Sequence, residues 1–231
     1  MAGRGTGGFS DYNNLPGEYS LSSFDARQRL VVSYVYPLPI GKGQRFLSNL
    51  SGVSNGILGG WGLEGITTFQ KGLPLALSNA TNTLATYAFQ GSMRPMYVPN
   101  AAGCNGTKTI SGPKYDRLGG SSAKSTYFNT ACFVQQSVSN PYIFNRFLYG
   151  NESRTDSTLR GPGQANWDLT LYKELPIHEH ASLNLRVEAF NLFNRTQFGN
   201  PNTSVGNASF GQITTQLNNP RALQLSGRVV F

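Results

Sequence analysis

The side chains able to do chemistry are few, and they are poorly placed for it. The only two histidines, His178 and His180, flank Glu179. A His-x-His triplet offers metal ligands, but 176–180 reads as a short solvated turn. The two cysteines, Cys104 and Cys132, are too few for a disulfide scaffold and are not spaced like a zinc site. Gly59-Gly60 and Gly161-Pro-Gly163 lack the strand-to-helix context of a phosphate loop. No nucleophile is spaced with a base, so the expectation is no enzyme, no metal and no cofactor.

The more informative charges alternate with apolar residues. In 181–193, Leu183, Leu185, Val187 and Ala189 share one parity, while Ser182, Asn184, Arg186 and Glu188 share the other. That is a period-2 strand with one apolar face. A one-residue slip would put every charge on the wrong side. Four more strands follow from the same pattern, at 25–38, 61–77, 166–175 and 221–231. They add Glu64, Asp168 and Arg228 to the polar parity. Residues 1–24 have no period and read as a loop. Short helical structure is expected near Phe46 to Leu50, and short strands near 127–135 and 210–214. The long stretch 78–160 has no sustained period.

Composition narrows the class. The chain has 231 residues, of which 13% are charged, about half the usual share. Gly is abundant at 27 residues, and aromatics make up 12%. The +8 formal charge arises from 19 basic against 11 acidic residues. No basic block occurs, so no nucleic-acid partner is expected. No apolar run is long enough for a membrane helix, and the first residues lack the apolar core of a secretory signal.

The strands suit a transmembrane β-barrel. Ten residues rise about 33 Å, which a 45° tilt reduces to roughly 23 Å, close to an outer-membrane apolar band of about 25 Å. Loop lengths alternate in the same sense: a tight turn follows Leu175, and long connections lie at the other end. The 42–60 connector is longer than that layout prefers. Tyr36, Trp61, Phe69, Trp167, Phe193 and Phe231 sit near strand ends, as interfacial girdles would. A basic side chain facing lipid at mid-bilayer costs about 2–4 kcal/mol, so Glu64, Asp168, Arg186, Glu188 and Arg228 are expected to face a wet lumen. The alternative is a soluble β-sandwich, a carbohydrate-binding or adhesive domain with a polar outer face.

Nearly the whole chain beyond residue 24 resembles the C-terminal barrel segment of TonB-dependent outer-membrane transporters, in particular the Oar-like group of acidobacterial type. The resemblance is carried, in order, by Asp25-Ala-Arg-Gln-Arg29, Leu38-Pro-Ile-Gly-Lys-Gly43, Gly59-Gly-Trp-Gly-Leu63 and Gln70-Lys-Gly-Leu-Pro74. It continues through Tyr127-Phe-Asn-Thr-Ala131, Leu159-Arg-Gly-Pro-Gly163, Asn166-Trp-Asp-Leu169 and Arg186-Val-Glu-Ala-Phe-Asn-Leu-Phe-Asn194. It ends with Gln197-Phe-Gly-Asn-Pro201, Phe210-Gly and the final strand.

The resemblance implies an all-β fold of about 22 antiparallel strands around a plug, located in the bacterial outer membrane. On this reading, 25–231 is the C-terminal part of such a barrel, open as a fragment, with a long extracellular loop at about 78–160. Its two edges would be unpaired and prone to aggregation. The implied function is uptake of a large or scarce solute, driven by the TonB complex through the plug. The implied partners are outer-membrane lipid, lipopolysaccharide and the barrel-assembly machinery. That machinery would read Gln224, Leu225, Gly227, Val229 and Phe231, although Gly227 lies one place later than usual. In an oxidising compartment Cys104 and Cys132 form a loop disulfide or remain two free thiols. Lys108, Lys114, Arg117 and Lys124 are candidates for lipopolysaccharide phosphates, or else solvated loop residues. The inward charges contact plug or solute, or form an ion-pair lattice in the wall.

Overall fold

A computed structural model describes residues 15–81, 93–111, 126–135, 149–178 and 181–231. Its main element is a five-stranded antiparallel sheet. Its strands are β1 (Arg29–Pro37), β2 (Trp61–Gln70), β6 (Gln164–His178), β7 (Ala181–Phe190) and β9 (Ala222–Val230), in the order β1-β2-β6-β7-β9. A helix, α1 (Gly52–Leu58), precedes β2. The remaining strands are short: β3 (Ser78–Asn79) pairs in parallel with β8 (Ser204–Val205), and β4 (Met96–Tyr97) pairs antiparallel with β5 (Phe133–Val134).

The chain divides into two compact units. One comprises Gln28–Gln70, Gln164–Gln197 and Asn218–Phe231, and holds the large sheet. The other comprises Met1–Arg27, Lys71–Gly163 and Phe198–Leu217.

Register carries the two-residue alternation of each strand across the whole sheet. Leu63 lies opposite Leu171, which lies opposite Val187, which lies opposite Leu225. Tyr36 extends that row onto β1. The next row runs Val35, Glu64, Thr170, Glu188 and Gln224. One face is therefore apolar and the other mixed polar. The apolar face is not covered: Leu30, Leu223, Leu225 and Val229 are all exposed. A soluble sandwich would bury such a face against a second sheet. The sheet does not close on itself, and β1 and β9 are its edges.

Two glycines let aromatic rings lie flat on the sheet. The Tyr172 ring occupies the space above Gly62, its partner across β2 and β6, where a Cβ would collide with it. On the opposite face Tyr34 lies over Gly65 in the same way. Each ring covers backbone that a side chain would otherwise shield.

The second unit has its own core. Leu75, Leu77, Phe128, Cys132, Phe133, Leu159 and Val205 are buried together, with Phe210 packed against them. Edge-to-face contacts link Phe128 to Phe133 and to Phe210. Phe128, Cys132, Phe133 and Leu159 of the long aperiodic stretch thus belong to a packed core.

Several expected boundaries move. The first strand starts at Arg29 rather than Asp25, because Asp25 accepts from Arg160. The second stops at Gln70 because Pro74 bridges Arg160, and Leu75 and Leu77 turn into the second core. The third is longer than expected and continues through a register shift to His178, so Pro176 to His178, read as part of a turn, belong to the strand; residues 179–180 lie outside the described residues. The fourth ends at Phe190 because Asn191 adopts a left-handed φ of 51°. The expected helical turn near Phe46 falls instead at α1. Residues 127–135 hold a 3-10 turn, Thr130–Cys132, ahead of the two-residue β5. Residues 210–214 form no strand, although Asn202 exchanges backbone hydrogen bonds with Gly211 and Gln212, and Gln216 bridges Phe198. Within 1–24, Leu15–Glu18 is a 3-10 turn, and Glu18 pairs with Arg94.

Gly62→Val is expected to lower the stability of the large sheet by about 1–3 kcal/mol, the usual range for overpacking. Adding Tyr172→Ala should recover much of that loss. Denaturant titration of the single and double variants measures both.

Candidate functional site

The five charges singled out in the sequence all fall on the polar face of the sheet. Glu64 stands on β2, Asp168 on β6, Arg186 and Glu188 on β7, and Arg228 on β9, where it lies opposite Asn184. A hollow of about 430 Å³ opens on this face, lined in part by Ser33, Glu64, Ile66, Asp168, Thr170 and Glu188. Three of those six residues are acids.

Their roles differ. Arg186 reaches across β6 to form an ion pair with Glu64. Both side chains are about one-third exposed, so the pair adds at most about 1 kcal/mol. Its effect is to lace β2 to β7 over the intervening strand. Glu188 and Arg228 pair with no charged side chain among the described residues.

Asp168 is a structural anchor. It accepts from the backbone N–H of Asn191 at 2.8 Å and from Asn166 Nδ2 at 2.9 Å. Asn191 then holds the chain leaving β7. Its Nδ2 donates to the carbonyls of Arg195 and Asn219, and its Oδ1 accepts from the N–H of Arg195 at 2.9 Å. Asn194, also left-handed at φ 50°, accepts from the N–H of Arg221 at 3.0 Å. Asparagine tolerates this backbone better than other non-glycine residues. On the apolar face at the same end, Phe69, Trp167 and Phe193 stack edge to face, with centroids 5.1 Å apart in each pair. Segments 166–169 and 186–194 therefore meet at one joint. Nothing in the periodicity marked Asn191 and Asn194 as its clamps.

A second joint gathers three other segments within the other unit. Arg160 pairs with the Asp25 carboxylate and donates to the carbonyls of Asp25 at 2.7 Å and Gly72 at 3.3 Å. Asp25, Gly72 and Arg160 converge there. Sequence reading missed this pairing because its partners lie 135 residues apart.

In the same unit Cys104 and Cys132 form a disulfide with Cα atoms 4.8 Å apart, and Cys132 is fully buried. Lys108 does not stand free for phosphates. Its ammonium donates to Glu152 at 2.8 Å and Asp156 at 2.7 Å, and lies 4.6 Å from the centre of the Tyr97 ring. Lys114, Arg117 and Lys124 lie outside the described residues, as do Glu179 and His180.

The triad places two buried carboxylates against one ammonium. Burial pushes Glu152 up from 4.5 to about 7, outweighing the hydrogen bond from Lys108. For Asp156 burial acts upward too, but hydrogen bonds from Lys108 and Thr158 overcome it and hold the group at about 2. Burial alone would lower Lys108; its bonds to Asp156 and Glu152 hold it above its ordinary value. Asp156 carries the charge, while Glu152 keeps its proton toward neutrality.

A family model described as an outer membrane beta barrel domain matches residues 2–224. No curated protein and no solved structure matches the chain.

The raised Glu152 pKa sets a pH dependence. Its contribution to stability is fully present below about pH 4.5 and is lost as pH rises through 7, because the folded state holds the proton more tightly than the unfolded one. Denaturant midpoints of the oxidised chain should fall between pH 5 and pH 8, and Glu152→Gln should flatten that fall. An equal slope in the variant would assign the effect elsewhere.

Proposed function

The chain belongs to the outer membrane beta barrel domain family and is a bacterial outer-membrane protein, and from that premise we propose that it is the C-terminal wall of a TonB-dependent transporter of the Oar-like group. The transporter would import a large or scarce solute, using force delivered by the TonB complex through a plug domain. The observation that carries this reading is the segregated sheet. All five singled-out charges lie on one face, three of them (Glu64, Asp168 and Glu188) lining the hollow, and the opposite face is apolar and exposed. A polar, lumen-facing wall and a lipid-facing exterior account for both.

The convergence of family-like segments at two joints adds support. Residues 166–169 meet 186–194, and Arg160 meets Asp25 and Gly72. Five tilted strands are too few to close, and in lipid both edges need hydrogen-bonding partners. Further strands of a larger barrel would supply them. In this reading β9, with Gln224, Leu225, Gly227, Val229 and Phe231, is the strand taken by the barrel-assembly machinery. The unit stapled by Cys104–Cys132 is extracellular, beside lipopolysaccharide, and contributes to solute capture. The soluble-sandwich reading has no such support, since outer-membrane membership and the uncovered apolar face oppose it.

An antiserum against residues 93–111 tests the proposal in isolated outer membranes of the producing bacterium. The expected signal is a polypeptide several times longer than 231 residues that cross-links to TonB. A 231-residue species in the outer membrane that forms no such cross-link would overturn it.

A further inference from the structure

Residues 38–60 join β1 to β2 at the end of the sheet where β6 ends, at His178, and β7 begins, at Ala181. The segment is firmly built. Phe46 N–H donates to Pro39 O and Gly41 N–H to Phe46 O, each at 3.0 Å. Asn55 Oδ1 accepts from the N–H of Lys42 at 2.7 Å, and Gly59 N–H closes α1 on Asn55 O at 2.9 Å.

Yet this ordered segment presents its apolar side chains outward. Val53 and Ile57, one turn apart on α1, are 79% and 61% exposed. Phe46, Leu47 and Leu58 are about half exposed. Leu47 has a φ of 59°, a left-handed backbone that leucine rarely adopts. Residues 46–60 contain no charge, while Lys42 and Arg45 stand just before them, with the Arg45 guanidinium 5.7 Å from the Phe46 ring centre.

The tether shows on which side the helix lies. Lys173 is the one charged residue at an apolar-face position of the five long strands, opposite Trp61. Its ammonium donates to the carbonyls of Ile57 at 3.0 Å and Gly59 at 2.7 Å, and lies 4.7 Å from the Trp61 ring centre. Trp61 Nε1 donates to the same Ile57 carbonyl at 2.9 Å. A cation at the end of α1 satisfies carbonyls that the helix itself leaves open. The end of α1 is thus fixed to side chains of the apolar face, not of the polar one.

We propose that residues 46–58 form an in-plane membrane anchor. Phe46, Leu47, Val53, Ile57 and Leu58 enter the glycerophospholipid leaflet at the end of the sheet where β6 ends and β7 begins, and Lys42 and Arg45 meet anionic headgroups. The inference rests on the reading above, in which the apolar face meets lipid and short turns are periplasmic. The patch continues that lipid-facing surface, and its basic rim has the sign such headgroups attract. Interfacial segments of this kind sit about 5–10 Å into the headgroup–acyl boundary. The length of the connector, out of keeping with a plain periplasmic turn, then has a use.

Depth-dependent quenching tests it on the full chain in vesicles of phosphatidylethanolamine and phosphatidylglycerol. An environment-sensitive fluorophore is attached in turn to Val53→Cys, Ile57→Cys and Leu225→Cys. The expected result is stronger quenching at Val53 and Ile57 by a shallow lipid nitroxide than by a deep one, with strong deep quenching at Leu225. The double variant Lys42→Gln, Arg45→Gln should weaken shallow quenching at Val53; no change would overturn the headgroup contact. Lipid quenching at Leu225 with only aqueous quenching at Val53 and Ile57 would overturn the anchor and leave the lipid-facing sheet intact. Loss of lipid quenching at all three would overturn both.

Discussion

In a hydrocarbon layer a strand has two obligations at once. Its backbone must be paired along its whole length, and only one parity of its side chains is allowed to be polar. Antiparallel register meets both through the same hydrogen bonds. Pairing Leu171 with Val187 and Thr170 with Glu188 decides together which atoms bond and which side chains meet lipid. A slip of one residue between β6 and β7 would turn Arg186 and Glu188 outward. An arginine moved to the lipid face near the midplane costs about 2–4 kcal/mol, far more than the Arg186–Glu64 pair returns. Register here is therefore enforced by the solvent on each side rather than by any single contact.

Lys173 marks where that rule relaxes. It occupies an apolar-face position, but near the turn end of β6, and its ammonium is satisfied by carbonyls at the end of α1 and by the Trp61 ring. Trp61 and Tyr36 stand near this end, and Phe69, Trp167 and Phe193 gather at the other. Aromatic rings at both ends of an apolar band are the pattern expected where lipid gives way to water. The second unit is held by different means. It has a compact aromatic core, a disulfide, and ion pairs at Arg94–Glu18, Arg160–Asp25 and Lys108–Glu152–Asp156. Buried ion pairs fix geometry more than they add stability, which suits a body assembled from segments distant in sequence.

The strands were legible because their information is local. Alternation in 183–189 is written into neighbouring residues, and the same holds for 61–70 and 222–230. Their ends were less legible, because what stops them is tertiary: Pro74 bridging Arg160, or Asn191 clamping the exit from β7. The second core was not legible at all. Leu75, Phe128, Leu159 and Val205 share no period and come together only through long-range contacts. Lys108 was misread for a related reason: a basic residue in a polar stretch looks solvated until Glu152 and Asp156 fold onto it. Asp168 fell on the expected face, yet its hydrogen bonds to Asn191 and Asn166 make it a brace for the loop base.

The central claim is that one face of the sheet is wet and the other meets lipid. Cysteine substitution at each position from Ser182 to Ala189 in outer membranes, followed by a water-soluble thiol reagent, measures this directly. The native cysteines are bonded to each other and should stay silent. The account predicts modification at positions 182, 184, 186 and 188, with protection at 183, 185, 187 and 189. Uniform modification, or the opposite parity, would contradict it.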